Sequence, residues 1–392
     1  MDSTFATADH DVFNTNLPTS AALLKSDAPR AGQAEETLPK ILDVVSSPLP
    51  FSDMLVTAGE DVMIRNANGW LKFDRPPYSE ADIEFILWQM DAQWAELLHR
   101  GGFSRPYVVG NFRLRVTAYL AFRGAKKMLA IRRTPVDPMP FKDTGLPDSV
   151  KLMIENPQGL VLLSGATGAG KTTTMAALVD LLNETRNYHI ETIEDPIEFV
   201  FKRKKSVFSQ REVGHDIPTY NEGVRGAMRQ RPDVIIIGEI RDRDTAENAI
   251  LAGESGHLVI ATLHASSVSG AIQKLVSFFP GEESAKYASL ASSLVGVIHQ
   301  CMVPGIEQGK GVVATELLFN HKQHFSEFLN SSIKINAALD EKTAGMSQSL
   351  AMSLHGLVKD GKIAKADALK TVASQGSAHA KLIRMFDQQG MR

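Results

Sequence analysis

The sequence predicts an α/β protein: a mostly parallel sheet carrying a phosphate-binding loop, preceded by a small α+β domain. Three observations predict it. From Asp148 onward, short apolar runs alternate with helical patterns, as in a parallel sheet covered on both faces. The apolar run 159–164 (GLVLLS) opens into Gly165-Ala166-Thr167-Gly168-Ala169-Gly170-Lys171-Thr172, a full match to G-x-x-x-x-G-K-[ST], and an apolar-striped helix follows over 173–183. Between Pro48 and Pro135 the chain instead shows alternating strand patterns, a hairpin signal and one capped helix.

A chain of 392 residues has room for two or three domains. Its net charge of −3, from 42 basic and 45 acidic residues, argues against general nucleic-acid binding, and no direct nucleic-acid contact is expected. Cys301 is the only cysteine, so no intrachain disulfide forms and a reducing compartment fits. No apolar stretch is long enough to span a bilayer, and the N-terminus lacks a basic n-region and an apolar h-region. A cytoplasmic location with only peripheral membrane association is expected.

Taken in order, residues 1–42 are rich in Ala, Ser, Thr, Asp and Glu with weak periodicity, and read as a disordered lead-in or, alternatively, a docking segment. Residues 43–134 form the small α+β domain. Met54-Leu55-Val56 and Val62-Met63-Ile64 read as strands, and Asn68-Gly69 as a hairpin turn into 70–73. Ser79 caps a helix, with Asp82 in the capping-box position, running to about His99 and burying Ile83, Ile86, Leu87 and Met90. Residues 112–119 alternate as a half-buried strand, with Met128-Leu129-Ala130-Ile131 as its partner. Pro135, Pro138, Pro140 and Pro147 mark a linker over 135–148. In 149–345 the clearest strands are 160–164, 189–193, 234–238 and 258–262; residues 346–392 read as a helical C-terminal region, with 363–369 the clearest helix. Lys202-Arg203-Lys204-Lys205 reads as a solvated hairpin tip.

The glycine loop predicts binding of a nucleoside triphosphate, because its amides turn inward at a helix N-terminus. The candidate nucleotide-binding residues are Gly165 through Thr172 together with Thr173. Lys171 would reach the β- and γ-phosphates, and the Thr172 hydroxyl would sit on Mg²⁺. Glu239 stands just past the β-branched strand 234–237, where a ligand lies outside the carboxyl ends of parallel strands, and would orient or deprotonate the attacking water. Glu194 ends another strand and would hold Mg²⁺ through water. His264 ends a third, facing the γ-phosphate or a neighbouring subunit.

In order, GATGAGKTT, TIEDPIE, RPDVIIIGEIRD and ESGHLVIATLHASS resemble the four signatures of the type II and type IV secretion ATPases: Walker A, aspartate box, Walker B and histidine box. The resemblance covers roughly residues 48–360 and lies nearest the PilT/DotB-like branch. It implies a RecA-like ATPase domain over 149–345 behind a PAS-like N-terminal domain, with ATP and Mg²⁺ as ligands. It also implies a homohexamer at the cytoplasmic face of the inner membrane, joined to secretion or pilus machinery. By resemblance, Arg115 and Arg132 are candidates to approach a nucleotide across a domain or subunit boundary, the alternative being solvated strand charges. Arg225 and Arg229 are further candidates to act in trans.

One departure separates sub-branches. Retraction ATPases carry an Ala-Ile-Arg-Ala-Gly-like signature after the histidine box; residues 315–325 (TELLFNHKQHF) keep Glu316 and lack the rest. That favours type IVB-like secretion or conjugation over pilus retraction. The absence of a tetracysteine site argues against the longer assembly ATPases. A RecA-like nucleic-acid motor and a nucleotide-gated scaffold are the remaining alternatives.

Overall fold

A computed structural model describes residues 42–389 apart from 48, 308, 321–334, 336, 337 and 340–345. The lead-in up to residue 41, and residues 321–325 of the signature comparison, lie outside the described residues.

The described residues build two sheets. The first holds six strands: β1 (Asp53–Thr57), β2 (Met63–Asn66), β3 (Gly69–Lys72), β4 (Phe103–Val109), β5 (Phe112–Ala121) and β6 (Lys126–Pro135). They are antiparallel throughout, in the order β3-β2-β1-β6-β5-β4. Alternation sends Leu114, Val116 and Ala118 of β5 and Leu129 and Ile131 of β6 to one face, where they join Ile83, Ile86, Leu87 and Met90 of the helix Glu80–Met90 in a single core. The opposite face carries one cross-strand row: Trp70, Arg65, Asp53, Arg132, Arg115 and Pro106.

Two details of this half differ from the sequence reading. The hairpin pairs Asn66 with Gly69, so Ala67 and Asn68 are the turn residues and Gly69, at φ +107°, opens the strand. The helix capped by Ser79 and Asp82 ends at Met90, well short of His99. Asp91 stops it: its backbone is extended and its carboxylate accepts the Gln93 N–H at 2.8 Å, a local turn that competes with the helix. A separate helix, Trp94–His99, follows.

The second sheet runs β13-β12-β7-β11-β10-β8-β9. Its strands are β7 (Gly159–Ser164), β8 (His189–Glu194), β9 (Val207–Glu212), β10 (Val234–Ile237), β11 (Leu258–Leu263), β12 (Leu294–Pro304) and β13 (Gly311–Phe319). All neighbours are parallel except β13, which folds back on β12. Every residue of β7, β10 and β11 is buried, and an apolar cluster lies on each face. Because β8 and β9 are parallel, residues 202–205 sit in a crossover rather than at a hairpin tip. Lys204 bonds Asp180 and Glu184, each at 2.8 Å, and Lys202 reaches Asp137 at 2.7 Å. The helices Leu350–Lys359, Lys365–Thr371 and Gly376–Gln388 close a further cluster over Val303 and Ala314. Among the described residues no helix is long and apolar enough to cross a membrane.

Arg133 breaks the apolar pattern of β6. It follows Leu129 and Ile131 on the buried face, yet it is only 8% exposed. Its guanidinium donates to the carbonyls of Val45 (2.7 Å), Ser47 (3.1 Å), Leu49 (2.7 Å) and Phe51 (3.3 Å), between the rings of Phe51 and Phe112. Burial pulls its pKa down to about 10, below the usual guanidinium range. This one side chain thereby satisfies the carbonyls of Val45, Ser47, Leu49 and Phe51, which lie outside any strand. In the second sheet His299 of β12 is similarly enclosed. It lies 3.2 Å from the Ser164 hydroxyl, and burial, aided by the nearby Lys171 charge, lowers it to about 4.

Two outcomes follow from these enclosed groups. Arg133→Met is expected to lower unfolding free energy by about 2–3 kcal/mol and to expose residues 45–51 to proteolysis; denaturant titration and limited digestion check both. For His299, the unfolded chain takes up a proton below pH 6.5 that the folded chain refuses until about pH 4. About 3 kcal/mol of stability is therefore fully present above pH 6.5, lost progressively as pH falls from 6.5, and gone by about pH 4. His299→Gln should lack that part of the acid slope.

Candidate active site

The phosphate loop lies between β7 and the helix Lys171–Thr185. Gly168 and Gly170 have φ of +81° and +85°, which favours glycine at both positions. Gly165 is glycine for space: a Cβ there would stand 2.5 Å from the Gln300 carbonyl oxygen. Gly170 caps the helix in a left-handed conformation with no side-chain bond to the first amides, so those N–H groups are open to an anion. Lys171 bends back over the loop and donates to the carbonyls of Gly165 (2.9 Å) and Ala166 (3.1 Å). Burial holds its ammonium below the usual lysine value, with the Glu239 charge acting the other way. Thr172 and Thr173 stand in the first helical turn.

Three strand ends bring the acidic and imidazole groups to the same edge. Gly238 N–H donates to Ile193 O at 2.8 Å, Ile240 N–H to Thr262 O at 2.9 Å, and the Thr262 hydroxyl to Gly238 O at 2.5 Å. Those bonds pin the turn after β10 between β8 and β11. Glu239 is set there with its Oε1 3.2 Å from His264 Nε2 and its Oε2 accepting Arg241 Nε at 2.8 Å. Arg241 also reaches Asp195 Oδ2 at 3.4 Å, and its bond to Glu239 raises its own pKa further. Sequence reasoning assigned Arg241 no role. The signal was present: Glu239-Ile240-Arg241 sets opposite charges two residues apart in the sequence.

Glu194, 6% exposed, ends β8, and burial pushes its carboxyl above the ordinary range. Its neighbours are neutral donors: Gln210 Nε2 reaches it at 3.5 Å, and the Glu198 backbone opposes the effect of burial in part. A buried carboxylate without a cation fits a hard, hydrated divalent ion. Among the described residues no group of three or more His, Cys, Asp or Glu could hold a metal alone. One hydroxyl at Thr172, one carboxylate at Glu194 and the oxygens of a bound polyphosphate suit Mg²⁺, which takes few protein ligands.

The edge therefore gathers residues 165–173, Glu194, Glu239 and His264, and adds Arg241. It does not gather the four arginines. Arg115 and Arg132 face each other on the outer side of the first sheet, where Asp53 pairs with Arg132 at 3.0 Å. Arg225 lines an open groove with Asn221, Asp244, Glu247 and Lys286, and Arg229 is exposed beyond the helix Tyr220–Ala227. Glu316 acts locally, its carboxylate accepting the Val268 N–H at 2.7 Å and so capping the helix that follows the His264 strand.

Chemically, this edge can hold a polyphosphate on amides and an ammonium, with a carboxylate placed to accept a proton from water. The chain is 36% identical over 325 residues to the type IV pilus retraction ATPase PilT of Pseudomonas aeruginosa, covering 81% of this chain and 93% of that protein. It is 31% identical over 326 residues to the type IV pilus ATPase PilU of the same organism, covering 81% and 84%. Among solved structures, the pilus retraction motor PilT with bound ADP superposes with a TM-score of 0.70 at 34% identity, covering 84% of this chain and 96% of that one. The Legionella pneumophila ATPase DotB gives a TM-score of 0.76 at 25% identity, covering 89% and 98%. Residues 136–344 match the family described as type II/IV secretion system protein, and the chain belongs to that family.

Proposed function

We propose that this chain is a Mg²⁺-dependent ATPase that works as a homohexameric motor at the cytoplasmic face of the inner membrane, driving type IVB-like secretion or conjugation. One observation carries the ATPase reading: Glu239 and His264 converge at the strand edge beside the lysine-bearing loop. The likeness to PilT with bound ADP supports it. The loop amides and Lys171 bind the phosphates and stabilise charge that develops on the γ-phosphoryl group. Thr172, with Glu194 behind it through water, would hold Mg²⁺, which would supply charge neutralisation at the phosphates. Glu239 orients water and takes its proton; His264 and Arg241 fix the carboxylate until water replaces one of them. Arg115 or Arg132, and Arg225 or Arg229, complete the site from a neighbouring subunit, since they stand apart from the loop in this chain.

A second reading is pilus retraction, favoured by the 36% identity to PilT along most of both chains. The missing Ala-Ile-Arg-Ala-Gly-like signature at 315–325 and the similarity to DotB favour secretion.

Glu239→Gln should bind MgATP with near wild-type affinity and lose about 10²-fold or more in kcat. Lys171→Ala should lose nucleotide binding itself. Equilibrium titration beside steady-state phosphate release checks both, and wild-type turnover by Glu239→Gln would refute the assignment of the base.

A further inference from the structure

Gln300 is fully buried on β12, directly behind the phosphate loop, and has no part in the mechanism above. Its side-chain Nε2 donates to the Ala169 carbonyl at 2.6 Å. Its own carbonyl oxygen is what a Cβ at Gly165 would strike, and its Nε2 is what a Cβ at Gly170 would meet at 3.2 Å. One residue thus touches the loop at its first glycine, at Ala169 and at its last glycine. The other side-chain atom, Oε1, is buried with no hydrogen-bond partner. An apolar side chain of similar volume would avoid that orphan acceptor. What the position gains from glutamine is the donor.

The donor acts on a particular peptide. The Ala169 carbonyl and the Gly170 N–H belong to one planar trans unit and point in opposite directions. Fixing the carbonyl against β12 turns the Gly170 amide to the inner side of the loop, where an anion is bound. His299, the neighbouring residue, holds the start of the loop through the Ser164 hydroxyl at 3.2 Å. We infer that Gln300 is a positioning residue for the nucleotide: it sets the orientation of the Ala169–Gly170 peptide and thereby the affinity of the loop for phosphate. The inference rests on the ATPase reading.

The test uses the full chain with Gln300→Met and Gln300→Leu, two donor-free replacements of different shape. MgADP is titrated calorimetrically, ligand-free melting is recorded, and kcat and KM for MgATP are measured. The expected result in both variants is a Kd for MgADP raised about tenfold, within what one hydrogen bond supplies. KM should rise in step, kcat should stay within about threefold, and the ligand-free Tm should move by no more than about 2 °C. Unchanged affinity in either variant overturns the inference, as does weaker binding that only accompanies a Tm loss of many degrees. The wild-type titration separates the two readings. A wild type that binds no MgADP overturns the ATPase proposal and this inference with it; wild-type binding matched by Gln300→Met overturns the inference alone.

Discussion

Parallel hydrogen-bond register among four buried strands places the chemistry of this protein. Leu263 pairs with Ser164, Ile237 with Ala261 and Ile193. The strand ends therefore fall on one line, and the residues that follow them share one edge: the glycine loop after β7, His264 after β11, Glu239 after β10 and Glu194 at the end of β8. A slip of one residue in any pair would turn its terminal side chain to the other face. Full burial of β7, β10 and β11 makes such a slip costly, since it would drive apolar side chains out of packed clusters on both faces.

Charge at this edge is left partly unbalanced. Lys171 is half-buried over carbonyl oxygens, and Glu194 is buried among neutral donors. Each would be stabilised by a ligand of opposite sign, and a magnesium–polyphosphate supplies both signs at once. Glu239, by contrast, is engaged on both oxygens by His264 and Arg241. The binding groups are thus open to a ligand while the group assigned to proton transfer is restrained.

Much of this was legible in the sequence because it is local. The loop is a contiguous pattern, the four central strands are short β-branched or apolar runs, and the Ser79–Asp82 capping box needs only four residues. The misses are non-local or chemically ambiguous. Helical periodicity continues through Asp91, and only its carboxylate turn onto Gln93 shows why the helix stops. β12 mixes His299, Gln300 and Cys301 into an apolar run, and the partner of Gln300 is 131 residues away. Arg133 sits in the strand pattern as a bare charge, and its partners, the carbonyls of Val45, Ser47 and Leu49, are more than 80 residues distant. Arg241 was visible as a letter in the Walker B run, and its ion pair appears only once the turn after β10 is placed.

The arginines divide by location in a way that bears on assembly. Arg241 belongs to the edge of its own chain. Arg115 and Arg132 lie on a sheet face whose only acidic member in their row is Asp53. Charges displayed that way suit a ligand brought by another subunit, as the proposed ring would bring it. The deciding measurement is phosphate release from MgATP across a range of protein concentrations, with the mass of the same samples taken by light scattering. Sites completed between subunits give turnover that appears only with a six-subunit species. Full specific activity in a monomer would contradict them.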